Sequence, residues 1–185
     1  MNDNFLQGYI FVEITKKKWG TKMNKKIFLG GPIQYAYSHN GDFDYRIRSN
    51  LEYLNTILQK NDFEVFSAHS IEKFGKETHV FKSFDIFERD YTWMKECNLY
   101  VAFLPIDLNG KLVRTDGTYM ELGWAYILKK PILILCDLSR IMQSSLLLQG
   151  LIEKEDIKVL EIERIIEQND VLINEIKLLL GVEEN

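Results

Sequence analysis

The sequence predicts a single α/β domain, a parallel β-sheet sandwiched by helices. Short apolar runs alternate along the chain with segments of helical periodicity, which is typical of βαβ units. The 185 residues match the size of one domain, and no linker or internal repeat divides the sequence. A composition of 46% hydrophobic and 27% charged residues, with three prolines, excludes a disordered or low-complexity chain.

Five apolar runs are predicted to form the strands of the sheet. Four are well defined, and the one over Ile157–Glu161 is weaker. The four are Lys26–Leu29, Glu64–Ser67, Leu99–Leu104 and Ile132–Cys136. Open parallel sheets bind their ligands outside the carboxyl ends of the strands, so the segments that follow these strands are expected to converge on one site.

Four segments repeat apolar residues at the spacing of an amphipathic helix. The predicted helices are Asp44–Lys60, Phe81–Glu96, Gly117–Lys129 and Asn169–Leu180. In the second helix the apolar stripe consists of Phe84, Phe87, Tyr91 and Met94. Pro131 cannot continue the third helix, and Gly181 ends the fourth.

The first 22 residues are predicted to be an N-terminal extension, with one added strand over Tyr9–Ile14, ahead of a domain that spans residues 23–185. No function is assigned to the extension. Its start does not resemble a signal peptide, because Asp3 precedes the apolar patch and lysines follow it. No run reaches the roughly 18 apolar residues of a membrane span. Two lone cysteines, Cys97 and Cys136, fit a reducing cytosol, so a cytoplasmic protein without a membrane partner is expected.

The net charge and the positions of the histidines and cysteines argue against two further classes of protein. A formal net charge of −4 argues against a nucleic-acid binder, whose phosphate contacts need a basic face. The histidines His39, His69 and His79 are scattered, and neither cysteine belongs to a CxxC pair. We therefore expect no structural zinc site.

Three of the segments that follow strands each allow a functional and a structural interpretation. In Gly30–Gln34 the paired glycines allow close approach to a ligand, or they make a tight strand exit. His69 either contacts a ligand or is a structural hydrogen-bonding residue. Asp90 lies at the border of its helix's apolar stripe. It is either a half-buried carboxyl with a raised pKa, suited to proton transfer, or part of a solvated face paired with Arg89.

The fourth segment, Arg114–Ala125, also has two interpretations. Thr118 and Glu121 have the spacing of a capping box, in which Thr118 caps the helix and Glu121 bonds back to its backbone. The same residues offer hydroxyls, free amides at a helix N-terminus and a carboxylate within one turn, which together make an anion cradle beside an ionised nucleophile. Spacing alone does not separate these interpretations.

Three ordered motifs resemble the nucleoside 2-deoxyribosyltransferase superfamily: IFLGGPI over residues 27–33, ERDxxW over 88–93 and GxxxELG over 117–123. The likeness spans about residues 26–136 and is greatest to the hydrolase branch, the 2′-deoxynucleoside 5′-phosphate N-hydrolases and CMP N-glycosidases. It implies a flavodoxin/Rossmann-like fold, an enzyme without a metal or cofactor, and a homo-oligomer. Exposed candidates for the subunit contact are Trp124 and the run Ser145–Leu151.

The resemblance also implies roles for individual residues. The family's nucleophilic glutamate falls on Glu121, and its aspartate near the nucleobase falls on Asp90. Its loop around the base and ribose, and its positions at the sugar 5′ end, fall on Gly31, Ile33, Gln34, Thr115 and Gly117. Two departures are Asn98, where the family often has aspartate, and a longer loop over Pro105–Arg114.

Four further residues complete the predicted substrate-binding set: His69, Trp93, Arg114 and Thr118. Aromatic side chains are candidates to stack on a base or to belong to the core, and these are Tyr35, Tyr37, Trp93 and Trp124.

The paired carboxylates make chemical sense for breaking an N-glycosidic bond. A carboxylate below C1′ stabilises an oxocarbenium-like state and can trap the sugar covalently. Two carboxyls with separated pKa values supply a nucleophile and a proton donor. We expect Glu121, near a helix N-terminus, to be the anion and Asp90, at an apolar border, to be the acid.

The predicted activity is hydrolysis of a nucleoside 5′-monophosphate of the CMP or dCMP kind to free base and sugar 5-phosphate. The alternatives are a transferase that exchanges bases, a TIR-like NAD glycohydrolase, and a nucleotide-sensing module without turnover. Thr115 stands where nucleoside-specific relatives commonly carry an acidic residue. With Arg114, Gly117 and Thr118 it could therefore hold a phosphate, provided that Asp116 points away.

Overall fold

The computed structural model describes residues 25–37 and 41–182. The predicted extension over residues 1–22, with its strand over Tyr9–Ile14, lies outside the described residues, and so does Met23. Within the described part the chain forms one parallel sheet with helices on both faces, which confirms the predicted fold class.

The sheet contains five strands in the order β2-β1-β3-β4-β5, and every pairing between them is parallel. The strands are β1 (Lys26–Gly30), β2 (Glu64–Phe66), β3 (Leu99–Leu104), β4 (Ile132–Cys136) and β5 (Ile157–Glu161). Each predicted run is therefore a strand, and only two ends move by a single residue. Strand β1 lies between β2 and β3, so the carboxyl ends of these three strands lie side by side.

The described residues form seven helices, and four of them are the predicted ones. They are α1 (Tyr45–Lys60), α2 (Ala68–Ile71), α3 (Ser83–Glu96), α4 (Asp116–Ile127), α5 (Leu146–Ile152), α6 (Ile162–Glu167) and α7 (Asn169–Leu179), with 3₁₀ turns at Thr78–Val80 and Ile141–Gln143. Helix α1 begins after Asp44 because the Asp44 carboxylate accepts hydrogen bonds from the Arg46 and Ile47 amides. The short helices α2, α5 and α6 were not predicted.

The alternation of side chains along β1 shows how the two layers of core arise. Ile27 and Leu29 face the layer that contains α1, α6 and α7, whereas Phe28 faces the layer that contains α3, α4 and α5. Both layers are buried, which explains why the strands are apolar throughout instead of alternating with polar residues.

The residues of the apolar stripe predicted on α3 are not equally buried. Met94 is fully buried, but Phe84 is 68% exposed and Phe87 is 45% exposed. Phe87 and Tyr91 pack on the Trp124 ring of α4, at centroid distances of 5.3 and 5.4 Å. The start of α3 therefore contacts its neighbouring helix instead of the sheet, and an aromatic surface remains open to solvent.

Among the described residues, no helix is both long enough and apolar enough to cross a membrane.

Candidate active site

A cavity of about 190 Å³ lies at the carboxyl ends of β1, β2 and β3, where the sequence places it. Its walls come from the loop after β1, from α2 and the 3₁₀ turn after β2, from α3, and from the start of α4. Nearly all of the predicted site residues line it: Gly31, Ile33, Gln34, His69, Asp90, Arg114, Thr115, Gly117, Thr118 and Glu121.

Glu121 lies in the second turn of α4 and is only 9% exposed. Its Oε2 accepts a hydrogen bond of 2.5 Å from the hydroxyl of Tyr100, a fully buried residue of β3. Burial raises the pKa of Glu121 to about 8, although the Tyr100 hydrogen bond opposes this rise. The Tyr100 pKa is raised far above its ordinary value by burial and by the Glu121 charge, so this hydroxyl remains a donor.

The capping box predicted for Thr118 and Glu121 does not form. Helix α4 begins at Asp116, so Thr118 already lies inside the first turn and its hydroxyl accepts a hydrogen bond from Thr115. Glu121 lies in the second turn, too far from the N-terminus for the helix dipole to stabilise its negative charge. The field of the dipole falls off within the first turn. The expectation that this terminus keeps Glu121 ionised is therefore wrong, since burial has the larger effect on the pKa.

Gly30, the last residue of β1, makes the space in which this carboxyl lies. A Cβ atom at this position would collide with both the Tyr100 hydroxyl and the Glu121 carboxylate. The glycine pair was interpreted as allowing close approach to a ligand or as making a tight strand exit, but the structure gives its first member a different role. The absent side chain allows the acid to reach the end of the strand.

A network of charged side chains holds Asp90 at the cavity wall. Arg89 donates from Nε to Asp90 Oδ1 at 2.8 Å and from Nη2 to Glu72 Oε1 at 2.6 Å. Glu72 Oε2 also accepts a hydrogen bond of 2.6 Å from the Thr78 hydroxyl. Burial raises the pKa of Asp90, and the Arg89 contact opposes it. The pair with Arg89 exists, but it is buried and not part of a solvated face.

His69 belongs to the short helix α2 and is 2% exposed. Its Nε2 lies 3.2 Å from the Pro32 carbonyl oxygen, while Nδ1 has no partner among the described residues. Burial lowers the pKa of His69 to about 4, so the ring is neutral near pH 7. The histidine is thus a wall residue with one unused ring nitrogen.

The start of α4 forms the opposite end of the cavity. Thr115 and Thr118 are buried there, and Gly117 lies in the first helical turn. Asp116 forms two hydrogen bonds with Arg114, of 2.9 and 2.6 Å, and the guanidinium lies 4.5 Å from the Tyr35 ring centre. Asp116 is itself among the residues that line the cavity, so the condition that it points away is not met, although its exposed carboxylate is paired with the Arg114 cation.

A comparison with models of protein families identifies the family of this chain. The family model described as nucleoside 2-deoxyribosyltransferase matches residues 27–176. The chain belongs to the nucleoside 2-deoxyribosyltransferase family. This confirms the resemblance stated from the three motifs and extends it over most of the described residues.

Solved structures agree with the fold of this nucleoside 2-deoxyribosyltransferase family member. The CMP N-glycosidase BcmB of Clostridium botulinum is similar with a TM-score of 0.54 and 21% identity, over 80% of this chain and 99% of that one. The solution structure of BlsM is similar with a TM-score of 0.63 and 22% identity, over 83% and 92% of the two chains. No curated protein sequence matches the chain at a significant level.

Not every aromatic candidate of this family member contacts the cavity. The prediction that Trp93 binds substrate is wrong, because its ring stacks on Phe66 at 5.5 Å, under the Arg89 guanidinium, and is absent from the lining. Tyr37 donates its hydroxyl to the Phe74 carbonyl and does not line the cavity either. Only Tyr35 among these candidates contributes to the wall.

Sequence reasoning missed three residues of the site: Glu72, Thr78 and Tyr100. Glu72 follows His69 by three residues, so a helix placed after β2 would have put both on one side. Tyr100 gave no signal, because it stands inside an apolar run. Among the described residues, no group of three or more His, Cys, Asp or Glu side chains could hold a metal ion.

Proposed function

We propose that this protein hydrolyses the N-glycosidic bond of a nucleoside 5′-monophosphate of the CMP or dCMP kind, with Glu121 as the nucleophile. The observation that carries the proposal is the buried Glu121 carboxyl, which lies in a cavity between a helix N-terminus and a second carboxyl, Asp90. The structural similarity to a protein described as a CMP N-glycosidase supports the same class of reaction.

The order of the strands gives the cavity two chemically different ends. Thr115 and Thr118 follow β3, whereas His69 and Glu72 follow β2, and β1 runs between them. Glu121 reaches over the end of β1, where Gly30 leaves space for it. A nucleotide with its phosphate at α4 and its base at the β2 end would therefore hold C1′ near the Glu121 carboxylate.

The reaction then proceeds in two steps. Ionised Glu121 attacks C1′ as the bond to the base breaks, and Asp90 donates a proton to the departing base. The sugar remains bound to Glu121 as an ester. Water then attacks C1′, its proton passes to Asp90, and the Glu121 carboxylate is released. Tyr100 holds Glu121 in position throughout, through the 2.5 Å hydrogen bond.

Three groups at the start of α4 support a phosphate in place of a free 5′-hydroxyl. Two hydroxyls and a first-turn amide lie together there, at Thr115, Thr118 and Gly117, and the dipole of the helix favours an anion. The charge of Asp116 is offset by its pairing with Arg114. We expect kcat/KM for CMP to exceed that for cytidine, and Thr115→Asp to reduce or invert the ratio. Equal wild-type values would refute the phosphate site.

The nucleophile is tested with Glu121→Gln, which retains the shape of the side chain and an acceptor for Tyr100. Released base, measured by chromatography, is expected to fall below detection while the fold persists. Glu88→Gln changes an exposed glutamate of α3 and serves as the matched control with full activity expected. Base release by Glu121→Gln at a rate near that of the wild-type protein would show that Glu121 is not the nucleophile.

A base-exchange reaction is the second candidate, because the matching family is named for a transferase. Incubation with CMP and a second free base separates the two activities. A new nucleotide formed in place of sugar 5-phosphate would refute hydrolysis. NAD in the same substrate panel tests the glycohydrolase alternative, and binding without any base release would indicate a sensing module.

We also propose that the protein is a homo-oligomer in the cytoplasm. Leu146 and Leu147 of α5 are 84% and 87% exposed, and the aromatic surface of α3 is open, so a second copy would cover apolar area. Light scattering at working concentration tests the assembly, and a monomer would refute it. The two cysteines are buried free thiols, which is consistent with a reducing compartment.

A further inference from the structure

The β2 end of the cavity presents hydrogen-bond acceptors. Glu72, Thr78 and His69 all line this end, and Glu72 and His69 are almost completely buried. None of the three belongs to the start of α4, where the phosphate is proposed to bind. They therefore form a wall that is separate from the proposed phosphate site and is suited to contact a different part of the same ligand.

The donors of these side chains are already used within the protein. The Thr78 hydroxyl donates to Glu72 Oε2, which leaves only the lone pairs of the Thr78 oxygen. The neutral ring of His69 places its N–H on Nε2, toward the Pro32 carbonyl, so the unpartnered Nδ1 carries a lone pair. Arg89 also has an unpartnered nitrogen, Nη1, but Arg89 does not line the cavity.

The side chain of Glu72 can accept further hydrogen bonds. Each of its oxygens accepts one hydrogen bond, Oε1 from Arg89 and Oε2 from Thr78, and each has capacity for a second. A ligand group with N–H donors satisfies this capacity. A carbonyl oxygen in the same place would face these lone pairs, and it would be buried without a hydrogen-bond donor.

We infer that Glu72, together with Thr78 and His69, selects nucleobases that carry an exocyclic amino group. The inference rests on the proposed function, because it assigns the base to the β2 end of the cavity. It predicts that CMP is preferred over UMP and that AMP is preferred over IMP. The members of each pair differ in the exocyclic group, an amino group in place of a carbonyl oxygen, and in the neighbouring ring nitrogen, which is an acceptor beside the amino group and an N–H donor beside the carbonyl. The inference places the exocyclic group against Glu72. Glu72 acts here as a specificity residue and does not touch C1′.

The first test compares kcat/KM within each pair for the wild-type protein. An amino-bearing base is expected to be favoured by about tenfold or more, because a site built around a hydrogen bond rejects an analogue that cannot make it. A ratio near one, or a preference for UMP or IMP, would overturn the inference.

The second test uses Glu72→Gln, whose amide offers both a donor and an acceptor at the same position. The CMP to UMP ratio is expected to fall by about tenfold, because the new N–H can meet a carbonyl oxygen. A purely structural loss would lower both values and leave the ratio unchanged, which would overturn the inference. Thr78→Val removes one hydrogen-bond acceptor of this wall without changing its charge, and it is expected to lower the CMP to UMP ratio as well. Glu77→Gln is the matched control, since Glu77 pairs with Lys73 and does not line the cavity.

A binding experiment separates failure of this inference from failure of the proposed function. Calorimetry with Glu121→Gln measures the affinity for CMP and for UMP without turnover. Tighter binding of CMP, by about tenfold or more, supports selection by the amino group even if the wild-type protein releases no base. Equal affinities overturn the inference alone, and absence of binding by either nucleotide overturns it together with the proposed function.

Discussion

Replacing Glu121 with glutamine is expected to stabilise the protein by an amount that grows with pH. The Glu121 pKa is about 8 in the folded protein, whereas an unperturbed glutamate has a value of 4.5. Between these values the folded state binds a proton that the unfolded state has lost. The free energy of unfolding of the wild-type protein therefore falls as pH rises through this interval, since stability decreases wherever the native state binds more protons. Glutamine has no such proton.

The size of the effect follows from the two pKa values. Each tenfold change in proton affinity corresponds to about 1.4 kcal/mol. At pH 5 the carboxyl disfavours folding by about 1 kcal/mol relative to an uncharged side chain, and at pH 8 by about 4 kcal/mol. The advantage of Glu121→Gln should therefore increase by about 3 kcal/mol over this range. For a protein of this size the increase corresponds to roughly 6–12 °C in melting temperature.

Thermal melts of both proteins at matched ionic strength, at pH 5 and at pH 8, measure this difference. Glu88→Gln removes an exposed carboxylate from the neighbouring helix and is expected to show no comparable change with pH. If the difference between Glu121→Gln and the wild-type protein were independent of pH, Glu121 would not be a buried acid with a raised pKa. The ionisation argument for the active site would then fail.

Three further substitutions test neighbouring contacts. Tyr100→Phe removes the hydrogen bond that favours ionised Glu121. The rise of kcat/KM with pH should therefore move to higher pH, and kcat/KM at pH 7 should fall about tenfold. An unchanged pH profile would contradict this expectation. Asp90→Asn should slow base release most for bases that need protonation and least for a base that is already cationic, and equal losses would mean that Asp90 only positions the substrate. Gly30→Ala should cost about 1–3 kcal/mol in denaturant unfolding by overpacking, whereas Gly123→Ala, which has open space around it, should not.

The sheet and the long helices could be predicted because each produces a recognisable pattern of apolar residues in the sequence. β4 is buried on both faces and therefore consists of apolar residues alone. Helix α7 repeats buried residues with helical spacing and stops before Gly181, which has a φ of +61°. Helices such as α2 are too short to show a period, since four residues make about one turn. For the same reason the wall that α2 contributes to the cavity was not predicted.

Most of the site residues could be predicted because they follow a strand, whereas Tyr100 was missed because its role depends on a contact between distant parts of the chain. Gly31 and Glu121 belong to segments that the topology brings to one edge of the sheet. The partnership between Tyr100 and Glu121 depends instead on the register of β3 against the start of α4. A tyrosine inside a run of buried residues is indistinguishable from a core residue by sequence. Its hydroxyl is recognised as a hydrogen-bond donor to Glu121 only once the structure places the two side chains together.

The distribution of protons between Glu121 and Asp90 could not be read from spacing, because burial depends on the whole neighbourhood. Both carboxyls have raised pKa values, but Asp90 keeps a guanidinium contact, whereas Glu121 has only a phenol. The carboxyl proposed as nucleophile is thus a poor anion in the folded protein. Positive charge that develops at C1′ as the base leaves would stabilise the Glu121 carboxylate in a buried, weakly screened environment. Its charge is then most favourable in the transition state and least favourable before it, which is the difference on which catalysis depends.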